Sequence, residues 1–279
     1  MNTIAQLIIS FFTKLTKFFS ELKAEPLAEI KKEDDKEKTS PRLTKVVSKV
    51  TPRKEEIEEI DLPELLKVAT KPSKGKPMET FKDTTIILDA GHGGMIDGKY
   101  QTNGKRSPEW SDGTQLFEGV NNREVIKLVT KELDTLGIKY VLTADTEKDV
   151  PLQTRCDIAN EVEGDSVFIS MHSNAGGGKG FESFSYARKG LSGKYNDIFY
   201  EEFPKVFPKE RVRFNVNVKT PTAKTANFKV LRDTNMPAVL LEFFFMDTEN
   251  DCRILMSPEG RQKIAEVIVN GIKRIIKKD

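Results

Sequence analysis

The sequence predicts an α/β domain: a single twisted, mixed but largely parallel sheet with helices on both faces, preceded by an N-terminal amphipathic helix and a disordered linker. Three observations predict it. Short apolar, β-branched runs alternate with segments of helical period. Glycine-rich or polar turns follow several of those runs. The chain also changes character near residue 82, from a lysine- and glutamate-dense stretch punctuated by proline to apolar patterned sequence.

At the N-terminus, Ile4, Leu7, Ile8, Phe11, Phe12, Leu15, Phe18, Phe19 and Leu22 recur at steps of three and four, with Lys14, Lys17, Glu21 and Lys23 off that face. The apolar run is too short for a spanning helix, which needs about 20 residues. No Lys or Arg precedes it and no small-x-small site follows, so it makes a poor cleavable signal. Residues 1–30 therefore read as a helix that lies on a membrane surface or docks on a partner through residues 4–22, or that packs on its own domain. Residues 31–82 read as a charged linker. No aromatic residue occurs from 31 to 76, and such a composition buries too little apolar surface to offset its ordering entropy.

Residues 83–279 read as one globular domain. Thr84–Asp89 is a buried strand ending in a glycine-rich turn. Glu118–Leu136 has helical spacing at Val120, Val125, Leu128, Val129, Leu133 and Leu136, and Gly137 stops it. Ile138–Thr143 is a strand, Leu152–Val162 a helix, and Ser166–Met171 a strand leading into HSNAGGGKG. Phe181–Tyr186 alternates as a strand, and Phe228–Leu231 and Ala238–Phe245 supply two more. Pro258–Ile276 is a final amphipathic helix, with Lys277 and Lys278 suiting its negative end.

Composition excludes several classes. Lys+Arg at 45 against Asp+Glu at 43 gives a net charge of +2, too balanced for a dedicated nucleic-acid binder. Two cysteines, Cys156 and Cys252, exclude a disulfide scaffold and read as buried thiols. A mean hydropathy of −0.46 excludes a polytopic membrane protein.

Ligands of open α/β sheets bind beyond the carboxyl ends of the strands. His92 and His172, the only two histidines, each follow a strand, within DAGHGG and MHSNAGGG. Glu242 interrupts the otherwise apolar run Ala238–Phe245, where an acid is costly unless paired, metal-bound or poised for proton transfer. A hydrolytic zinc site needs three protein ligands and one open position. Two histidines leave one carboxylate to find, and Glu118, at the start of the first helix on the same sheet edge, is the best candidate. Glu242 is then the proton shuttle.

IILDAGHGG, Glu118 with Asn122 on the next turn, L-x-x-R and AN within Leu152–Asn160, FISMHSNA and MPAVLLEFFF occur in that order. This set resembles the zinc-dependent N-acetylmuramoyl-L-alanine amidase family, the peptidoglycan amidases of autolysins and phage lysins. The resemblance spans Thr84–Ile276. It implies Zn2+ held by His92, Glu118 and His172, with Glu242 as the catalytic acid-base. It implies peptidoglycan as the partner, cut at the amide between N-acetylmuramic acid and L-alanine. Action at the cell wall follows, by a phage-type lysin released from the cytoplasm or carried in a particle, or by a cellular autolysin. The rival readings are a zinc hydrolase of another cell-wall amide and a non-catalytic envelope or virion module.

The sequence departs from the family pattern in three places. Residues 93–117 form a long polar loop in which Glu109 and Asp112 compete with Glu118 as the third ligand. Within it Trp110, Tyr100 and Arg106 read either as a substrate-binding wall or as an exposed insertion with one apolar staple. The family's Thr-Arg is Thr143-Ala144, and the glycine after the catalytic Glu is Phe243. Asn174 either orients His172, binds substrate, or serves only the turn.

Overall fold

Residues 81–214 and 222–278 are described by the computed structural model; the expected helix of residues 1–30 and nearly all of the linker lie outside the described residues. Strand β1 (Thr85–Ala90) is central because Ile86, Ile87 and Leu88 are fully buried and need cover on both faces. It pairs in parallel with β4 (Tyr140–Leu142) on one side and β5 (Ser166–Asn174) on the other. Strand β8 (Ala238–Phe245) continues the parallel set beyond β5. Strand β6 (Phe181–Ser185) joins β8 antiparallel and carries the short β7 (Lys224–Thr225). The order is β4-β1-β5-β8-β6-β7, the mixed, mostly parallel sheet the sequence predicts.

Strand parity sorts the core. Ile86, Leu88, Ile169, Val239 and Leu241 meet the apolar faces of α1 (Glu118–Leu136), α3 (Leu191–Val206), α5 (Glu249–Met256) and α6 (Pro258–Ile276). Ile87, Phe168, Ala238 and Leu240 meet α2 (Leu152–Asn160) and α4 (Lys229–Arg232) on the other face. Helix α1 ends where Gly137 takes φ 66°, a conformation that a Cβ disfavours. Helix α6 starts at Ser257, whose hydroxyl accepts the Gly260 N–H. Both cysteines are free and buried.

One element differs in kind from the sequence reading. Phe228–Leu231 is not a strand: Phe228 is extended, and Lys229–Arg232 forms one helical turn, with Leu231 and Arg232 N–H donating to the Phe228 carbonyl. A four-residue apolar run fits either period. Here an i,i+4 pair, Lys229 to Asp233 at 2.5 Å, and burial of Val230 and Leu231 against α2 favour the turn. Helices α3 and α5 were not expected. Tyr195, Ile198, Phe199 and Phe203 carry a helical period that glycine, Pro204 and the surrounding charges obscure.

The cover on the α2/α4 face is short. Two residues beyond Ile87, Phe168 and Leu240 the same parity presents Asp89, Ser170 and Glu242, and His172 follows Ser170. Glu182, opposite Glu242 on β6, completes the row. The carboxyl-end half of this face is therefore polar.

Candidate active site

His92 follows β1 with φ 67°, a left-handed conformation rare for a residue with a side chain. Side chains hold it there by capturing three consecutive carbonyls. Arg155 donates to Ala90 O at 2.6 Å, Asn122 to Gly91 O at 3.2 Å, and Arg123 to His92 O at 2.8 Å with Arg155 at 3.2 Å. A Cβ on Gly91 would stand 2.2 Å from the His172 ring, so only glycine lets this loop lie against that imidazole.

The two imidazoles lie edge to face, centroids 4.9 Å apart. Glu118, in the first turn of α1, reaches both: Oε2 lies 3.3 Å from His92 Nε2 and Oε1 lies 3.1 Å from His172 Nδ1. The Ser173 N–H also donates to Oε1. Burial alone would raise the Glu118 carboxyl, but hydrogen bonds to His172 and His92 outweigh it and hold it near about 2. Within 4.8 Å of one another stand two imidazole nitrogens and one ionised carboxylate oxygen. Two nitrogens and a hard oxygen are a donor set that suits a divalent transition metal, zinc included.

Glu242 lies beside this cluster, in register with His172. Its Oε2 is buried without a hydrogen-bond partner. Burial pushes its carboxyl up to about 7; nearby His172 opposes the shift and Glu118 adds to it. A buried carboxyl with one oxygen left open beside a metal-ligand cluster is placed to take and return a proton. The backbone is irregular just past it. Between the pairs His172/Glu242 and Asn174/Phe245, β8 holds one more residue than β5, and Phe244 takes φ 60°. Phe243, which follows Glu242, is fully buried against the rings of Phe181 and Phe203.

The remaining residues singled out from sequence fall elsewhere. Asp112 accepts from Arg253 and Thr114, which hold its carboxyl well below the usual range, and neither it nor Glu109 joins the cluster. Trp110 packs on the core, its indole N–H donating to Cys252 Sγ at 3.3 Å, which is the staple reading of the loop. Arg106 is exposed and its backbone bridges Phe117. Asn174 Oδ1 accepts the Ala175 N–H at 2.8 Å, a bond within the turn. Tyr100 sits on a small hairpin, β2 (Met95–Ile96) with β3 (Lys99–Tyr100), and its hydroxyl accepts the Gly119 N–H while donating to Lys105 O. It thus ties the loop to the start of the ligand-bearing helix. Sequence reasoning missed Asp89, Arg123 and Arg155 as site supports. A buried Arg and a buried Asp 66 positions apart leave no local signal of their pairing.

The sequence pattern of the N-acetylmuramoyl-L-alanine amidase family matches residues 86–274. The chain is 35% identical over 190 residues to the N-acetylmuramoyl-L-alanine amidase CwlM of Bacillus licheniformis, covering 68% of this chain and 67% of that protein. It is 30% identical over 200 residues to the endolysin of Bacillus phage SPP1, covering 68% of this chain and 65% of that one. It thus spans about two thirds of the length of these relatives. The N-acetylmuramoyl-L-alanine amidase of Clostridium difficile 630 shares the fold, with a TM-score of 0.57 at 24% identity over 68% of this chain and 95% of that structure.

Proposed function

This chain belongs to the N-acetylmuramoyl-L-alanine amidase family, and from that premise we propose that its site hydrolyses the amide joining N-acetylmuramic acid to L-alanine, at the cell wall, with zinc held by His92, Glu118 and His172. The observation that carries the reading is the pairing of a three-donor cluster with Glu242, an acid in register with one of the donors and left with an orphaned oxygen.

Zinc, when bound, supplies a Lewis acid for the scissile carbonyl and a water of lowered pKa at its open position. The chain's own groups do the rest. Glu118 stays ionised beside both imidazole nitrogens, so that its carboxylate and those nitrogens would together hold the metal. Arg123, Arg155 and Asn122 fix the loop that carries His92. Glu242 accepts the proton of the attacking water and returns it to the leaving amine of L-alanine.

The test is metal content with mass spectrometry of peptidoglycan digests. The full chain should carry about one zinc and release free stem peptides from intact glycan. His172→Ala and Glu118→Ala should lose most of the metal, whereas Glu109→Ala and Asp112→Ala should keep it. Full zinc occupancy in His172→Ala, or products cut within the peptide, refutes the proposal.

A further inference from the structure

Next to Glu242 in the polar row stands Glu182, directly opposite it across the β6–β8 pair and on the same face. Its side chain is only 7% exposed and meets two cations: Arg213 through Nε, and Lys224 with Nζ at 3.1 Å. Arg213 is anchored by its backbone N–H to Phe181 O at 2.9 Å, and its guanidinium lies 5.2 Å from the centre of the Phe245 ring. Lys224 lies over Phe184. One buried carboxylate thus faces two cations whose side chains are 30% and 25% exposed. No described acceptor sits on Arg213 Nη1 or Nη2, and Glu242 forms no ion pair with either cation.

We propose that Arg213 and Lys224 form a subsite for a carboxylate of the stem peptide, so that this site favours peptides with a free carboxylate just past the cut amide. The inference rests on the amidase reading above. The partner strand lies about 4.8 Å from Glu242, one short step along a bound peptide. Glu182 holds the cations in fixed positions, and an arginine edge recognises a carboxylate through paired hydrogen bonds. The opposite flank offers no such group. There, a cavity of about 390 Å³ is lined by His92, His172, Val150, Pro151 and Leu152 together with the carboxylates of Asp89 and Asp149. Its arginine, Arg155, is buried and already spent on Asp89 and on the carbonyls of Ala90, His92 and Val150. Charge therefore directs the peptide carboxylate toward β6 and away from the flank that carries Asp149, which is left to the uncharged muramoyl group. In peptidoglycan the nearest carboxylate past the cut is the α-carboxyl of the second residue, a glutamate linked through its side chain. That group occurs both free and amidated.

The experiment compares two synthetic muramoyl peptides that differ only in this group, carboxylate against carboxamide, with the purified full chain. The wild type should cleave the carboxylate form with kcat/KM roughly tenfold higher, the scale of one charge-assisted hydrogen bond. Arg213→Gln and Lys224→Gln should each bring that ratio toward one. A wild-type ratio near one overturns the subsite, as does a ratio kept by both variants. A ratio lost only in Lys105→Gln, the exposed loop cation whose charge reaches Glu242, also overturns it. Should Arg213→Gln fail to fold, the wild-type ratio and Lys224→Gln still decide. Cleavage of neither peptide by the wild type would instead overturn the amidase reading, and the subsite with it.

Discussion

Two carboxylates share the polar half of one sheet face, and they are treated in opposite ways. Asp89, next to last in β1, has every demand met: Arg155 at 2.6 Å, Thr143 at 2.5 Å and Ser170 at 2.6 Å. Burial would raise it, but the Arg155 charge and these hydrogen bonds keep it below the ordinary aspartate value. Glu242, two strands away, has an oxygen with no partner and a carboxyl pushed up to about 7. The difference separates a strut from a tool. A buried charge that is fully answered fixes geometry, here the strained His92 loop. One left partly unanswered keeps an oxygen free, and in the metal-free site a raised pKa, so that it is open to taking a proton.

Conservative swaps break the comparison most directly. Glu242→Gln keeps size and hydrogen bonding but cannot accept a proton. It should fold, retain zinc and lose at least ~100-fold in stem-peptide release, because general acid-base groups contribute 10²–10⁴-fold. Near-normal turnover by a well-folded, metal-loaded Glu242→Gln would place the acid-base elsewhere.

Asp89→Asn probes the strut. Removing one partner of a buried ion pair costs about 3–5 kcal/mol, because the other charge is left uncompensated. Both side chains of the Asp89–Arg155 pair are 2% exposed, so the full penalty applies. Denaturant unfolding at neutral pH should show that loss, with zinc affinity falling as the His92 loop loosens. A loss under 1 kcal/mol would mean that Arg155 finds enough in the backbone carbonyls alone.

This contrast marks how far the sequence could be read. Glu118–Leu136, Ala238–Phe245 and Pro258–Ile276 match the sequence reading to the residue, because Gly137 and Pro258 punctuate the helices and the apolar run of the strand is unbroken but for Glu242. The positions of strand ends place His92 and His172, and the start of the first helix on that edge places Glu118, with Glu109 and Asp112 as rivals; the structure brings ligand atoms of the first three within 4.8 Å of one another. Glu182, Arg123 and Arg155 did not follow, since their roles depend on sheet register and on pairings across tens of residues. The same limit hid the extra residue of β8 and the Trp110–Cys252 contact. Phe228–Leu231 went wrong for a local reason: four residues are too few for period to decide.

The smallest effect sharpens the comparison furthest, because the two acids bend the stability–pH curve in opposite directions. Asp89 has a lowered folded pKa, so it stabilises the fold above its unfolded value of about 3.8, and that stability is lost as pH falls through the folded pKa. Glu242 titrates at about 7 when folded and near 4.5 when unfolded. Between those values the folded chain holds the extra proton, so stability falls as pH rises from about 4.5 to about 7 and stays lowered above. Glutamine at 242 carries no such proton. In metal-stripped protein, Glu242→Gln should therefore gain on the wild type across that window, reaching about 1–3 kcal/mol at pH 8. Metal must be absent because a nearby dication would favour the ionised carboxylate and erase the difference. Chemical denaturation of both proteins at pH 4.5, 6, 7 and 8 reads the effect. A difference that stays flat across the window would show that Glu242 ionises as an ordinary glutamate, which would remove the physical basis for treating it as the poised member of the pair.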